Sequence, residues 1–262
     1  MVALRLRRFD PDAAFARCPS PVVFIVGKRA TGKTVLCRHL LQSLPQQPQP
    51  QQQPPKGALL DSTRRGAVLC RESGPRCCAE TCRLEYASVF SPDRIHTGYD
   101  DRVVKDVIAE QKKLQAENTA AGLSTTASVV IEDVLYGDRA FHIYDDKIQP
   151  LRDIFYNGRA YRINLFVLMR YPPALPPALR ANTDYVFLFR EAIEGSRRRL
   201  HETFFIDDAM NYESFCAVLD ACTKDAYDCL VLDYTAITHK TDAPLEDRLF
   251  FYKAPAGHEV TD

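Results

Sequence analysis

The stretch Gly27-Lys28-Arg29-Ala30-Thr31-Gly32-Lys33-Thr34 constrains this chain more than any other, because it fits the pattern G-x-x-x-x-G-K-[ST]. It follows Pro21-Val22-Val23-Phe24-Ile25-Val26, an apolar, β-branched run that reads as a strand buried on both faces. After it, Val35, Leu36, Leu40, Leu41 and Leu44 recur at helical spacing, the pattern of a helix packed on a sheet. A glycine-rich turn between such elements brings backbone N–H groups close to phosphate, and the helix start adds free N–H groups and a positive dipole end. Lys33 would then supply a charge to the β- and γ-phosphates and Thr34 a hydroxyl to Mg²⁺. Residues 27–34 with Val35 are the candidate nucleotide-binding residues, and ATP and Mg²⁺ the expected cofactors. The plain alternative is a glycine-containing turn with an incidental lysine.

A second strand, Ser128-Val129-Val130-Ile131, delivers Glu132 and Asp133 at its C-terminal end, where open α/β sheets place their sites. Glu132 is placed to hold the Mg²⁺ through water, and Asp133 to orient or deprotonate an attacking water. The cation offsets the repulsion of two adjacent carboxylates. Two acids opening a turn is the competing reading, and Asp61, in the strand-like run Gly57–Thr63 that follows the Gln/Pro loop, is a rival acid of lower rank. The strand Asn164–Met169 ends at Arg170, which is positioned to read a γ-phosphate. Arg180 and Arg159 are candidates for an arginine finger acting on a neighbouring subunit. For each arginine the alternative is a solvated or structural ion pair.

Strand and helix patterns alternate beyond these segments. Val103–Glu117, Asp145–Tyr156, Arg197–Phe204 and Tyr212–Ala221 read as helices; Tyr185–Phe189, Cys229–Asp233 and Leu249–Tyr252 read as strands. Residues 1–20 read as a leader, part extended and part helical. The expectation is an α/β fold with a largely parallel sheet covered on both faces. A chain of 262 residues suits one such domain, 1–262. The run 46–55, QQPQPQQQPP, cannot bury a core and reads as a disordered loop. Residues 64–83, rich in Arg and Cys and without a clear period, read as an insertion, so that 45–83 as a whole departs from the core.

Charge sharpens what partners are possible. Lys+Arg and Asp+Glu both number 34, so any nucleic-acid contact must come from a local basic patch. Arg197-Arg198-Arg199 and Arg64-Arg65 are the runs available for backbone contacts, with a solvated helix face as the default. No stretch reaches the roughly 18 apolar residues of a membrane span, and the N-terminus carries charge where a secretory signal is apolar, so the chain is not expected to be an integral membrane or secreted protein. Nine cysteines without an export signal point to a reducing compartment. Cys70, Cys77, Cys78 and Cys82 offer four thiolates for zinc, but C-x6-C-C-x3-C matches no standard finger, and free thiols are the competing reading. Cys18, Cys37, Cys216, Cys222 and Cys229 read as small core residues.

Together, FIVGKRATGKT (24–34), SPDRIHTGYDDRVVKDVIAEQKKL (91–114), VVIEDV (129–134), the long segment 154–191, DACTKDAYDCLVLDYT (220–235) and LFFYKA (249–254) resemble the poxvirus-type DNA-packaging ATPases of large DNA viruses, a branch of the FtsK–HerA superfamily. Segment 157–191 is the most specific, with NGR, a strand, a YP turn, PP-x-x-R-x-N and DYVFLFRE in order. The resemblance implies a P-loop NTPase of the RecA-like kind, a three-layer αβα fold with a mostly parallel sheet. It implies a homo-oligomeric ring that hydrolyses ATP and drives double-stranded DNA into a preformed capsid, gripping the DNA backbone without reading sequence. Capsid or virion-membrane proteins would be its further partners, and the host cytoplasm or the virion its location. It assigns Gly27, Gly32, Lys33 and Thr34 to the Walker A motif, and Glu132 and Asp133 to the Walker B acids. Two positions depart: Arg170 stands where the family usually has a glutamine sensor, and Ala160 where it has a histidine. A non-hydrolysing nucleotide-binding subunit and a small-molecule kinase with Arg197–Arg199 as its lid are the competing functions.

Overall fold

The computed structural model describes residues 6–45, 65–70, 79–118, 126–134, 148–171, 177–205, 210–235 and 247–254. The elements are β1 (Arg7–Arg8), α1 (Pro11–Arg17), β2 (Val22–Val26), α2 (Lys33–Ser43), β3 (Gly66–Cys70), α3 (Ala79–Tyr86), β4 (Ile95–Thr97), α4 (Asp101–Asn118), β5 (Ala127–Glu132), α5 (Gln149–Tyr161), β6 (Ile163–Met169), α6 (Pro177–Arg180), β7 (Tyr185–Phe189), α7 (Glu194–Phe204), α8 (Tyr212–Cys222), β8 (Asp228–Asp233) and β9 (Leu249–Lys253). The strands form one sheet in the order β1-β9-β8-β7-β2-β6-β5-β3-β4. From β7 across to β4 every pairing is parallel, and β8 is antiparallel to both its neighbours.

Alternation along β2 sorts the core into two layers. Val22, Phe24 and Val26 face one way and pack with α4, α5, α7 and α8, through residues such as Val104, Ile154, Leu200 and Phe215. Val23 and Ile25 face the other way, toward Phe15 of α1, Leu36 and Leu40 of α2 and Tyr86 of α3. Every residue of β2, β6 and β7 is buried, as a parallel sheet covered on both faces requires. Local chemistry fixes where helices begin. Asp10 accepts from the Ala13 amide at 3.1 Å before Pro11 opens α1, and Asn211 accepts from Ser214 at 2.8 Å before α8.

Two sequence expectations need correction. The described residues of the segment 64–83 are not an insertion outside the core. Gly66–Cys70 is a fully buried strand paired between β5 and β4, and Ala79–Tyr86 is a helix. Flanking arginines and cysteines hide a five-residue apolar run too short to show a period. The strand Ile95–Thr97 was also not anticipated. Helix α5 does not stop at Tyr156: it continues through Asn157-Gly158 to Tyr161. A Cβ on Gly158 would meet the Ile163 carbonyl at 3.1 Å, so this glycine permits close helix–strand packing instead of ending the helix. The run 46–55, the expected strand Gly57–Thr63 with its rival Asp61, and Cys77 and Cys78 lie outside the described residues. Among the described residues no helix is long and apolar enough to cross a membrane.

Candidate nucleotide site

Strand β2 sits between β6 and β7, and the chain leaves its C-terminal end at the centre of the sheet. The turn is tied down from within. Thr31 Oγ1 donates to the Lys28 carbonyl at 2.9 Å, and Lys33 Nζ donates to the same oxygen at 3.1 Å. Gly32 caps α2 at φ +101°, a left-handed conformation that costs glycine little. The buried Lys33 ammonium therefore has a carbonyl partner and two acids nearby. Burial lowers its pKa, while Asp133 and Glu132 raise it.

Strand β5 brings the acids to this turn. Thr34 Oγ1 donates to Glu132 Oε1 at 2.6 Å, across 98 positions of sequence. The second carboxylate oxygen, Oε2, accepts from the Tyr86 hydroxyl at 2.7 Å. Burial lifts the Glu132 pKa above its usual value, and these two hydroxyls pull it back. Asp133 adopts φ +52° and accepts from Arg170 Nε at 2.7 Å. Arg29, Ala30, Gly32, Lys33, Thr34, Val35, Glu132, Asp133 and Arg170 share one cleft of about 380 Å³. Of the expected loop residues, Lys28 instead points its ammonium at Glu191, 2.8 Å away.

Arg159 and Arg180 are not in this cleft. Arg159 pairs with Asp184, which also accepts the Val22 amide at 2.8 Å, so it sits at the opposite end of β2. Arg180 lies in α6, and its guanidinium donates to the Thr203 carbonyl at 3.3 Å. Arg197 pairs with Asp220; Arg198 pairs with Glu194 and lies over the Tyr212 ring. Arg64 lies outside the described residues.

Sequence reasoning missed Tyr86 and Tyr227. Tyr86 ends α3, a helix that begins inside the misread segment, although the i, i+4 spacing of Cys82 and Tyr86 could have suggested a buried helix face there. Tyr227 lies against the glycine turn: a Cβ on Gly32 would come within 2.4 Å of its ring. Cys70 and Cys82 are buried and line the cleft, and among the described residues no group of three or more His, Cys, Asp or Glu side chains could hold a metal. Cys18, Cys37, Cys222 and Cys229 are buried as expected, and Cys216 is half-buried.

A Walker-type turn, a strand-end acid hydrogen-bonded to its threonine, and a largely parallel sheet between two helical layers decide the fold. The chain has the P-loop NTPase fold. The genome packaging NTPase from Sulfolobus turreted icosahedral virus 2 in complex with AMPPCP superposes with a TM-score of 0.52 at 14% identity, over 91% of this chain and 99% of that one. The cytoplasmic domain of the Thermomonospora curvata type VII secretion ATPase EccC gives 0.52 at 13% identity, over 89% of this chain and 25% of that one. These P-loop NTPase neighbours match the resemblance drawn from the motifs. In sequence, an uncharacterized protein of Acanthamoeba polyphaga mimivirus is 27% identical over 185 residues, or 67% of this chain. One from Invertebrate iridescent virus 6 is 25% identical over 236 residues, or 89% of this chain. The chain spans 61% of the mimivirus relative's length and 77% of the iridescent virus relative's. No protein-family model matches it.

Proposed function

We propose that this P-loop NTPase hydrolyses ATP to move viral double-stranded DNA into a preformed capsid, working as a homo-oligomeric ring. The observation that carries the reading is the 2.6 Å hydrogen bond between Thr34 and Glu132, which joins the phosphate turn to the strand-end acid. Thr34, Glu132 and the neighbouring Asp133 offer only oxygen donors, the set a hard cation such as Mg²⁺ takes. Thr34 and Glu132 would hold the ion, which when bound neutralises charge on the transferring phosphoryl group. Lys33, in the same cleft, grips phosphate, and Asp133 orients water once Arg170 releases it toward the nucleotide. Viral relatives and a packaging NTPase with the same fold support the choice of DNA as cargo. Docking to capsid or virion-membrane proteins, in the host cytoplasm or the virion, belongs to the same proposal.

A second reading has one observation in its favour. Both acids are engaged, Glu132 by two hydroxyls and Asp133 by Arg170, as suits a subunit that binds nucleotide without turning it over. The kinase reading loses its lid, because Arg197 and Arg198 pair on their own helix and with α8. Steady-state ATP turnover with and without double-stranded DNA separates the cases, with Lys33→Ala and Glu132→Gln as controls. The motor predicts DNA-stimulated turnover abolished by both substitutions. Tight Mg-ATP binding with no turnover would favour the subunit.

A further inference from the structure

We infer that Tyr227 is the nucleobase platform of this site, an assignment that rests on the nucleotide reading above. Among the described residues lining the cleft, Tyr227 alone is aromatic. Its place in the sheet gives it this role. The acids Glu132 and Asp133 stand at the β5 end of the cleft, and Tyr227 directly precedes β8, on the other side of β2 in the order β8-β7-β2-β6-β5. A nucleotide with its terminal phosphate between Lys33 and the acids extends its base away from β5, toward the tyrosine. The ring already lies on the turn backbone, since a Cβ on Gly32 would be 2.4 Å from Cδ1 and 3.0 Å from Cε1. Gly32 is thus needed both for its φ of +101° and for the space the ring occupies.

The backbone at this tyrosine is strained. Tyr227 adopts φ +67°, a conformation uncommon for a bulky side chain and more often filled by glycine or asparagine. The neighbourhood holds it there. The Tyr227 carbonyl accepts from the Ala254 amide at 3.1 Å, the Asp225 amide donates to Asp228 Oδ2 at 3.1 Å, and Lys253 lies 3.6 Å from both aspartates. A ring fixed before ligand arrives loses little freedom on stacking, and stacking tolerates any base because each presents a π-face. The competing role for Tyr227 is packing alone, since the residue also touches the apolar layer that contains Leu36 and Cys229.

Leucine packs but cannot stack, and inorganic tripolyphosphate has phosphates but no base. We expect calorimetric titrations in Mg²⁺ to show ATP affinity reduced about tenfold in Tyr227→Leu and retained in Tyr227→Phe, with tripolyphosphate bound equally by both variants and the wild type. On the wild type, ribose 5′-triphosphate should bind about tenfold more weakly than ATP, a comparison that holds even if the leucine variant fails to fold. Equal binding of ATP and ribose 5′-triphosphate overturns the proposal, as does a leucine variant that is folded by circular dichroism and binds ATP normally or loses both ligands together. If wild type binds neither ATP nor tripolyphosphate, the phosphate site itself is wrong, an outcome distinct from a missing base platform.

Discussion

At the start of β2, Asp184 accepts the Val22 amide at 2.8 Å and pairs with Arg159; beyond its far end, Glu132 accepts hydroxyls from Thr34 and Tyr86 at 2.6 and 2.7 Å. Asp184 is buried and Glu132 half-buried, and burial raises the pKa of each. Their partners differ in kind. Asp184 is held by a backbone N–H and a permanent cation, which stitch β7 to β2 and α5. Glu132 is held by neutral hydroxyls, which a cation can displace or share. The first arrangement is a fixed joint, and the second leaves the carboxylate available for chemistry. Burial and a raised pKa do not separate a structural acid from a functional one, but the chemistry of the donors does.

The sharpest break in this contrast comes from turnover. Lys33→Ala and Glu132→Gln should each lower ATP hydrolysis by about a hundredfold or more, while Asp184→Asn should leave turnover per folded molecule near wild type. Next in size, Arg159→Ala should destabilise the fold by about 1–3 kcal/mol in denaturant melts, because Asp184 keeps its burial and loses its cation. If turnover collapsed while stability held, Arg159 would be a finger acting on a neighbouring subunit, and the fixed-joint reading would be sunk. Smaller still, Tyr86→Phe should cost about 1–2 kcal/mol and move the pH profile of turnover, since one Glu132 oxygen loses its donor.

The smallest effect is a pH dependence. Glu132 has a folded pKa above the ordinary 4.5, so the native state holds a proton that the unfolded chain releases. Its contribution to stability therefore falls as pH rises from about 4.5 through the raised value. Asp184 contributes with the same sign, so the informative quantity is a difference. Without Mg²⁺, Glu132→Gln should melt higher than wild type at pH 7 and converge with it as pH falls toward 4.5. A gap independent of pH would show that Glu132 is not strained by burial.

The turn at 27–34 and the strand-end acids were legible in the sequence because their geometry is local. A buried strand, a glycine that tolerates φ +101° and the first turn of a helix are contiguous, so a short motif specifies them together. Arg170 was legible for a similar reason, since it ends a strong strand next to the acidic one. Only the tertiary structure could send Arg159 to Asp184 at the wrong end of the sheet, draw Gly66–Cys70 into its middle, or set Tyr86 and Tyr227 on the cleft. An arginine or tyrosine reaches its partner through pairings 25, 46 or more positions away, and strand order, not local sequence, decides which distant segment it meets.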